Sequence, residues 1–238
     1  MRNTENELLN DINSNYIKNR INNLGADLCG IASVDRFKDA PKGFHPIDIF
    51  PECKSIIVFL KRTPKSSNYA VNCVPYTFVN SMIMRIIDKL TIDILYSLEE
   101  LGIRCVPIPS DDPYEYWEPD RTYGSAILSL RHAGYLSGLG VIGKNTLLIN
   151  NIYGNMIQLG AVLVDIELEA DPIATYEGCL DSCNICIESC PQQALNGETV
   201  NQALCRPISN FQHQKGYTLQ KCNLCRVKCP SAFGIKNK

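Results

Sequence analysis

Cys179-Leu-Asp-Ser-Cys183-Asn-Ile-Cys186-Ile-Glu-Ser-Cys190-Pro191 and, beyond the isolated Cys205, Cys222-Asn-Leu-Cys225-Arg-Val-Lys-Cys229-Pro230 hold eight of the twelve cysteines in this 238-residue chain. Both runs end in a three-residue step to Cys-Pro. A Cys-x2-Cys pair turns two sulfurs toward one centre, whereas the longer step and the proline lead the chain away from it. Two groups of four thiolates are therefore expected, and eight thiolates are present.

These endings resemble bacterial ferredoxin runs, in which three closely spaced thiolates hold one iron-sulfur cubane and the fourth reaches across to the other. That logic predicts two 4Fe-4S clusters with crossed ligation. Cys179, Cys183, Cys186 and Cys229 hold one, and Cys190, Cys205, Cys222 and Cys225 hold the other. Three residues separate Cys179 from Cys183, where the usual run has two. Paired zinc ribbons do not call for Cys-Pro endings or for a lone Cys205. Disulfides would require an oxidising compartment, to which nothing in the sequence directs the chain.

The length allows one large domain or two smaller ones. A formal net charge of -2 and a pI near 5.9 give no general attraction to polyanions, so no nucleic-acid partner is expected. Lys221, Arg226 and Lys228 are expected on solvated faces around the second cysteine run. The first fifteen residues are polar and no apolar run could span a bilayer, so a cytoplasmic protein without a membrane partner is expected.

Leu8, Leu9, Ile12, Tyr16, Ile17, Ile21 and Leu24 recur at helical spacing and stop at Gly25, which predicts an amphipathic helix. Leu28 to Val34 and Ser55 to Leu60 read as buried strands separated by a Pro-rich loop. A helix is predicted from about Thr77 to Leu101, then a strand over Ile103 to Ile108 and a loop over Pro109 to Tyr123. Gly124 to Ser137 can form a helix, and Thr146 to Ile149 and Met156 to Val164 read as strands. Helices and strands mix without regular alternation, which predicts an α+β architecture. Cys29, Cys53, Cys73 and Cys105 lie outside the cluster spacing and read as buried thiols.

Gly138-Leu-Gly140-Val-Ile-Gly143-Lys144-Asn145 matches GxGxxG and nearly matches a phosphate loop. Both fingerprints need a strand before the glycines and a helix after them. Here the predicted order is inverted. The stretch Ser137 to Thr146, followed by Tyr153-Gly154, Leu159-Gly160 and the double cysteine run, resembles the epoxyqueuosine reductase family. Leu24-Gly-Ala-Asp-Leu-Cys-Gly-Ile-Ala32 and Pro51-Glu-Cys-Lys-Ser-Ile-Ile-Val58 are similar to the same family's opening strands.

The resemblance implies a nitroreductase-like, cobalamin-binding domain over residues 1–170, followed by a two-cluster ferredoxin-like domain over 171–238 that feeds electrons to cobalt. Reductive dehalogenases share this plan. Ser137, Gly138, Gly140, Gly143, Lys144 and Asn145 would lie against the corrinoid, where missing side chains permit close approach. An electron donor such as a ferredoxin or flavodoxin and a small-molecule substrate are implied. The family's proton-donating Asp, fourteen residues before Gly-Leu-Gly, is replaced by Gly124. Asp120 and His132 are the substitute candidates. Leu130-Arg131-His132-Ala133 looks like a short branch of the family, and epoxyqueuosine in tRNA is not the expected substrate. The competing expectation is a ferredoxin-type electron carrier or partner-binding protein without cobalamin.

Overall fold

The structure, a computed structural model, describes residues 12–114, 116–118 and 123–235. Helix α1 (Ser14–Leu24) starts where the Asn13 side chain accepts the Tyr16 N–H and ends at Gly25, whose φ of 117° suits glycine. Ile17 and Ile21 are buried as expected. Tyr16 and Leu24 are exposed, and Leu8 and Leu9 lie outside the described residues.

Four strands form the central sheet: β1 (Leu28–Ser33), β2 (Ser55–Arg62), β3 (Cys105–Ile108) and β8 (Ile157–Val164). Their order is β1-β2-β8-β3 and every pairing is antiparallel. Both faces are covered, which explains why Ser55 to Leu60 reads as a continuous apolar run rather than as an alternation. Ile57 and Phe59 point to one face, under α1 and the long helix α3 (Val74–Glu99), whose Ile87, Leu90, Ile94 and Leu98 are buried there. Ile56, Val58 and Leu60 point to the other. Gly160 receives the Phe59 ring, since a Cβ on it would stand 2.5 Å from Phe59 Cζ. Burying one such side chain contributes about 1.5–3 kcal/mol.

The second face carries α4 (Leu130–Leu136) and the loops around it. The expected helix from Gly124 to Ser137 is shorter than its pattern. Its first residues instead form β5 (Tyr123–Ser125), paired with β4 (Tyr116–Glu118) inside the predicted loop. Pairing within this short hairpin overrides helical propensity there. After α4 come β6 (Val141–Ile142) and β7 (Leu148–Ile149), a small antiparallel ladder, so neither phosphate-binding fingerprint has its strand-turn-helix setting. A short helix α2 (Pro46–Ile49) closes the Pro-rich loop.

The cysteine-rich segment is built from short pieces: α5 (Ile185–Glu188), α6 (Gln202–Ser209), the β9–β10 hairpin (Phe211–Gln212 and Thr218–Leu219) and α7 (Leu224–Val227). Asp171 ties its entrance to β1. The Asp171 N–H donates to Ile31 O at 2.9 Å, Oδ2 accepts the Ile31 N–H at 2.9 Å, and Oδ1 accepts Lys18 Nζ at 2.5 Å. Gly154, at φ 66°, sits against the chain end; a Cβ there would lie 2.1 Å from Ser231 O.

Candidate functional site

Helices α5 and α7 are equivalent turns of the two cysteine runs, each begun by an Asn, and they pack against each other. Around them the structure brings the eight cysteines into two groups. The Cys225 thiol is pushed up to about 11, chiefly by burial; Arg226 opposes the rise, and the nearby Cys205, Cys222 and Cys190 contribute to it. Burial also raises Cys229, helped by Cys179, Cys186 and Cys183 and opposed by the Ser231 N–H. Cys186 is raised by burial and by Cys179 and Cys183. The last cysteine of each run thus stands with the other run. Backbone donors reach sulfur from Lys144 N–H to Cys179 at 3.4 Å and from Ala194 N–H to Cys190 at 3.3 Å.

Among the described residues no three His, Cys, Asp or Glu side chains converge on a single metal ion. A cubane spreads its thiolates over four irons and needs a wider spacing than one ion does. Thiols that raise one another's pKa gather where metal-bound thiolates would be neutralised by the metal.

Two cavities adjoin on this side of the sheet. The larger, of about 820 Å³, opens beside the core of the second sheet face, with Leu128, Leu148, Ile157 and Leu159 in its wall. The smaller, of about 260 Å³, is bordered by Cys190, Cys205, Cys222 and Cys225. Arg131, Leu147, Gln158 and Arg226 border both.

The shared wall is cationic. Arg131 donates to Thr146 O and, at 2.9 Å, to Thr146 Oγ1; burial lowers its pKa, and the Arg226 charge lowers it further. Thr146 is held at φ 61°, a left-handed conformation that a β-branched residue rarely adopts. The Arg226 guanidinium donates to Asn155 O and, at 3.4 Å, to Ile157 O. Asn155 is fully buried, and its Oδ1 has no hydrogen-bond partner among the described residues.

The large cavity also holds protic groups. Tyr114 OH donates to Asp111 Oδ1 at 2.5 Å and lies 3.4 Å from Arg206 Nη2, with the guanidinium 5.5 Å from the ring centre. Burial raises the Tyr114 pKa, the Asp111 bond raises it too, and Arg206 opposes both. His132 lies at the exposed edge, its Nδ1 2.8 Å from Ser129 Oγ. Crowding around the ring lowers its pKa, and the Arg131 charge adds to this. Gly124 forms part of the same wall, while Asp120 lies outside the described residues.

The glycine turn sits elsewhere. Ser137 is buried and donates to Gly134 O at 3.1 Å. A Cβ on Gly138 would meet Pro172 O at 2.2 Å, one on Gly140 would meet Ile149 O at 2.5 Å, and one on Gly143 would meet Ile149 Cδ1 at 2.5 Å. The close approaches these glycines permit are to protein. Lys144 Nζ donates to Asp181 O at 2.6 Å, and Asn145 Nδ2 to Cys225 O at 3.0 Å. The turn therefore braces both cysteine groups. Of its six residues Asn145 borders the smaller cavity, and none borders the larger.

Arg226 corrects an expectation, because it is half-buried between the cavities rather than on a solvated face. Its place next to Cys225 was the available signal. Arg131 and Asn155 carried none, since their partners lie 15 and 71 residues away. Of the four remaining cysteines, Cys53 is buried and Cys29, Cys73 and Cys105 are half-buried. Burial pushes Cys29 up to about 12 and Cys53 and Cys105 to about 11.

No family model matches the chain. Curated relatives are epoxyqueuosine reductases. That of Lactococcus garvieae is 31% identical over 111 residues, covering 42% of this chain and 31% of the relative; that of Staphylococcus aureus is 33% identical over 126 residues, covering 48% and 32%. The matched stretch spans about a third of these relatives' length. The structure of the Streptococcus thermophilus epoxyqueuosine reductase aligns over 94% of this chain and 67% of its own, at 18% identity and a TM-score of 0.61. A reductive dehalogenase studied for B12-dependent dehalogenation aligns over 88% and 31%, at 16% identity and a TM-score of 0.64.

An epoxyqueuosine reductase solved with a tRNA-Tyr stem loop aligns over 92% of this chain and 64% of its own, at 19% identity and a TM-score of 0.58. That corrects the expectation drawn from net charge, which is no ground for setting nucleic acid aside. Among the described residues no helix is long and apolar enough to cross a membrane. In sequence the chain is similar to epoxyqueuosine reductases, and in its mixed α/β fold it is similar both to them and to reductive dehalogenases.

Proposed function

We propose that this chain is a reductase in which two 4Fe-4S clusters deliver electrons to a corrinoid seated in the large cavity. Cys179, Cys183, Cys186 and Cys229 would hold one cluster, and Cys190, Cys205, Cys222 and Cys225 the other. The observation that carries this reading is the wall shared by the large cavity and the second thiol group. A free-standing electron carrier has no use for such a cavity, and the reductase relatives point the same way.

The residues present fit both groups. Eight thiols in two sets of four supply the ligands of two cubanes. A cavity of about 820 Å³ lies within the usual range for organic cofactors, about 300–1,000 Å³. Asn155 Oδ1, an acceptor without a partner beside that cavity, suits the amide-bearing rim of a corrinoid. A bound corrinoid would supply the low-potential metal centre at which substrate is reduced.

The chain's own residues then exclude water, orient the substrate and hold the proton. Tyr114 keeps its phenolic proton at neutral pH, because burial and Asp111 both raise its pKa. His132 is pushed toward the neutral form, so less of it carries a proton to give at neutral pH. With glycine at position 124, Tyr114 is the proton source this wall favours.

Anaerobic reconstitution with iron, sulfide and cobalamin tests the proposal. About eight irons per chain are expected, with acid-labile sulfide and a corrinoid that co-elutes with an altered visible spectrum. Iron without corrinoid would leave only an electron carrier, and stoichiometric zinc without sulfide would remove both readings. The stem-loop-bound relative makes nucleic acid a substrate class to assay beside small molecules.

A further inference from the structure

We propose that Arg131 and Arg226 balance the negative charge of the cluster held by Cys190, Cys205, Cys222 and Cys225, and so make it the higher-potential of the two, next to the large cavity. This rests on the two-cluster reading above. Electrons would enter at the cluster of Cys179, Cys183, Cys186 and Cys229, pass to the arginine-flanked cluster and leave toward the cavity.

Both guanidiniums border the small cavity, and both donate to neutral oxygens, those of Thr146, Asn155 and Ile157. No ion pair found among the described residues includes either one. Among the described residues no Asp or Glu lines the small cavity. Two positive charges side by side in a half-buried wall repel each other and lose hydration, an arrangement that is costly unless an anion joins them.

Four thiolates around a 4Fe-4S core carry a net charge of about -2, which becomes about -3 when one electron is added. The cations oppose that build-up and favour the reduced state. Around the other cysteine group the geometry differs. Lys144 Nζ is engaged with Asp181 O and Asn184 Oδ1, and no arginine faces those thiols in the interactions described. The electron itself comes from a low-potential one-electron donor of the ferredoxin or flavodoxin type, replaced by dithionite in the titration.

The test is an anaerobic redox titration of the reconstituted protein, followed by the electron paramagnetic resonance of each reduced cluster. Arg131→Gln and Arg226→Gln should each lower the reduced-to-oxidised ratio of one cluster by about tenfold at a fixed potential, tenfold being 59 mV for one electron. The other cluster should stay within about twofold of wild type, a bound set well below that tenfold step. Arg131→Lys and Arg226→Lys, which keep the charge, should stay near the wild-type ratio, and they remain informative should the Gln variants fail to take up iron. Unchanged Gln variants, equal shifts in both clusters, or Lys variants that fall as far as Gln would each overturn the proposal. A wild-type protein lacking two cubane signals would instead defeat the two-cluster reading itself.

Discussion

Asn155 and Arg226 are bonded in both directions: the Asn155 side-chain amide donates to Arg226 O at 3.3 Å, and the Arg226 guanidinium donates to Asn155 O. The residue after Cys225 is thereby fixed to the turn that enters β8. Asn155→Ala removes one half of this clasp and leaves Arg226 O with backbone donors alone, the Cys229 N–H at 3.3 Å among them. The expected cost is about 0.5–1.5 kcal/mol, read as a lower denaturation midpoint of the iron-loaded protein together with faster iron loss to a chelator. An unchanged midpoint would show that the clasp is not holding the second cysteine run in place.

Crossed ligation gives opposite outcomes for two alanine variants. Cys190→Ala should spare the cluster of its own run and damage that of Cys205, Cys222 and Cys225. Cys229→Ala should do the reverse. Iron content with electron paramagnetic resonance of the two reduced signals distinguishes them, and damage confined to the local run would refute the crossing.

Tyr114→Phe removes the phenol while leaving the ring under Arg206. Under the proposed mechanism, turnover should fall by roughly 10²-fold or more, the usual contribution of a positioned acid. Cluster and corrinoid content should be unchanged, which separates a lost proton source from a damaged fold. Activity that survives this change would return the role to His132.

Gly154→Ala forces a side chain into the path of Ser231 and Ala232 at a positive φ. The loss should exceed about 1 kcal/mol. It should appear first as increased proteolysis near the chain end, because residues around Ala232 pack against Tyr76 and Met156 there.

Cys53 predicts an alkaline weakness. Its thiol pKa is raised from 9.0 to about 11 by burial, so the folded state binds the proton more tightly than the unfolded chain does. That contribution is complete below about pH 9 and is lost as pH rises toward 11, by up to about 2 kcal/mol. Cys53→Ala should flatten the stability profile in this window, measured by denaturant unfolding at each pH; an unchanged slope would assign it to Cys29 or Cys105.

How far the sequence reaches depends on the range of the interactions. Ser55 to Leu60 and Met156 to Val164 announce the central strands because both sheet faces are buried, and Val74–Glu99 is legible from its own helical stripe. The cysteine spacing carries its grouping, since the chain can turn only so fast between neighbouring sulfurs. Tyr123–Ser125 was hidden because its partner strand lies across a loop. The cavity wall was hidden for the same reason. Arg36, Asp111, His132 and Arg206 become neighbours only when four separate segments fold together. The glycine turn looked like a ligand cradle, yet its small residues make room for Pro172 and Ile149.

Asp171 has a consequence at the rim of the sheet. Among the described residues strand β1 pairs with β2 on one side only, and a bare outer edge offers its backbone groups to any extended chain that drifts past. With Ile31 N–H and O both engaged by Asp171, that edge is capped at its middle by one residue acting as a miniature strand. The residue that ties down the cysteine-rich segment therefore also occupies the backbone groups through which another extended chain would add to this edge.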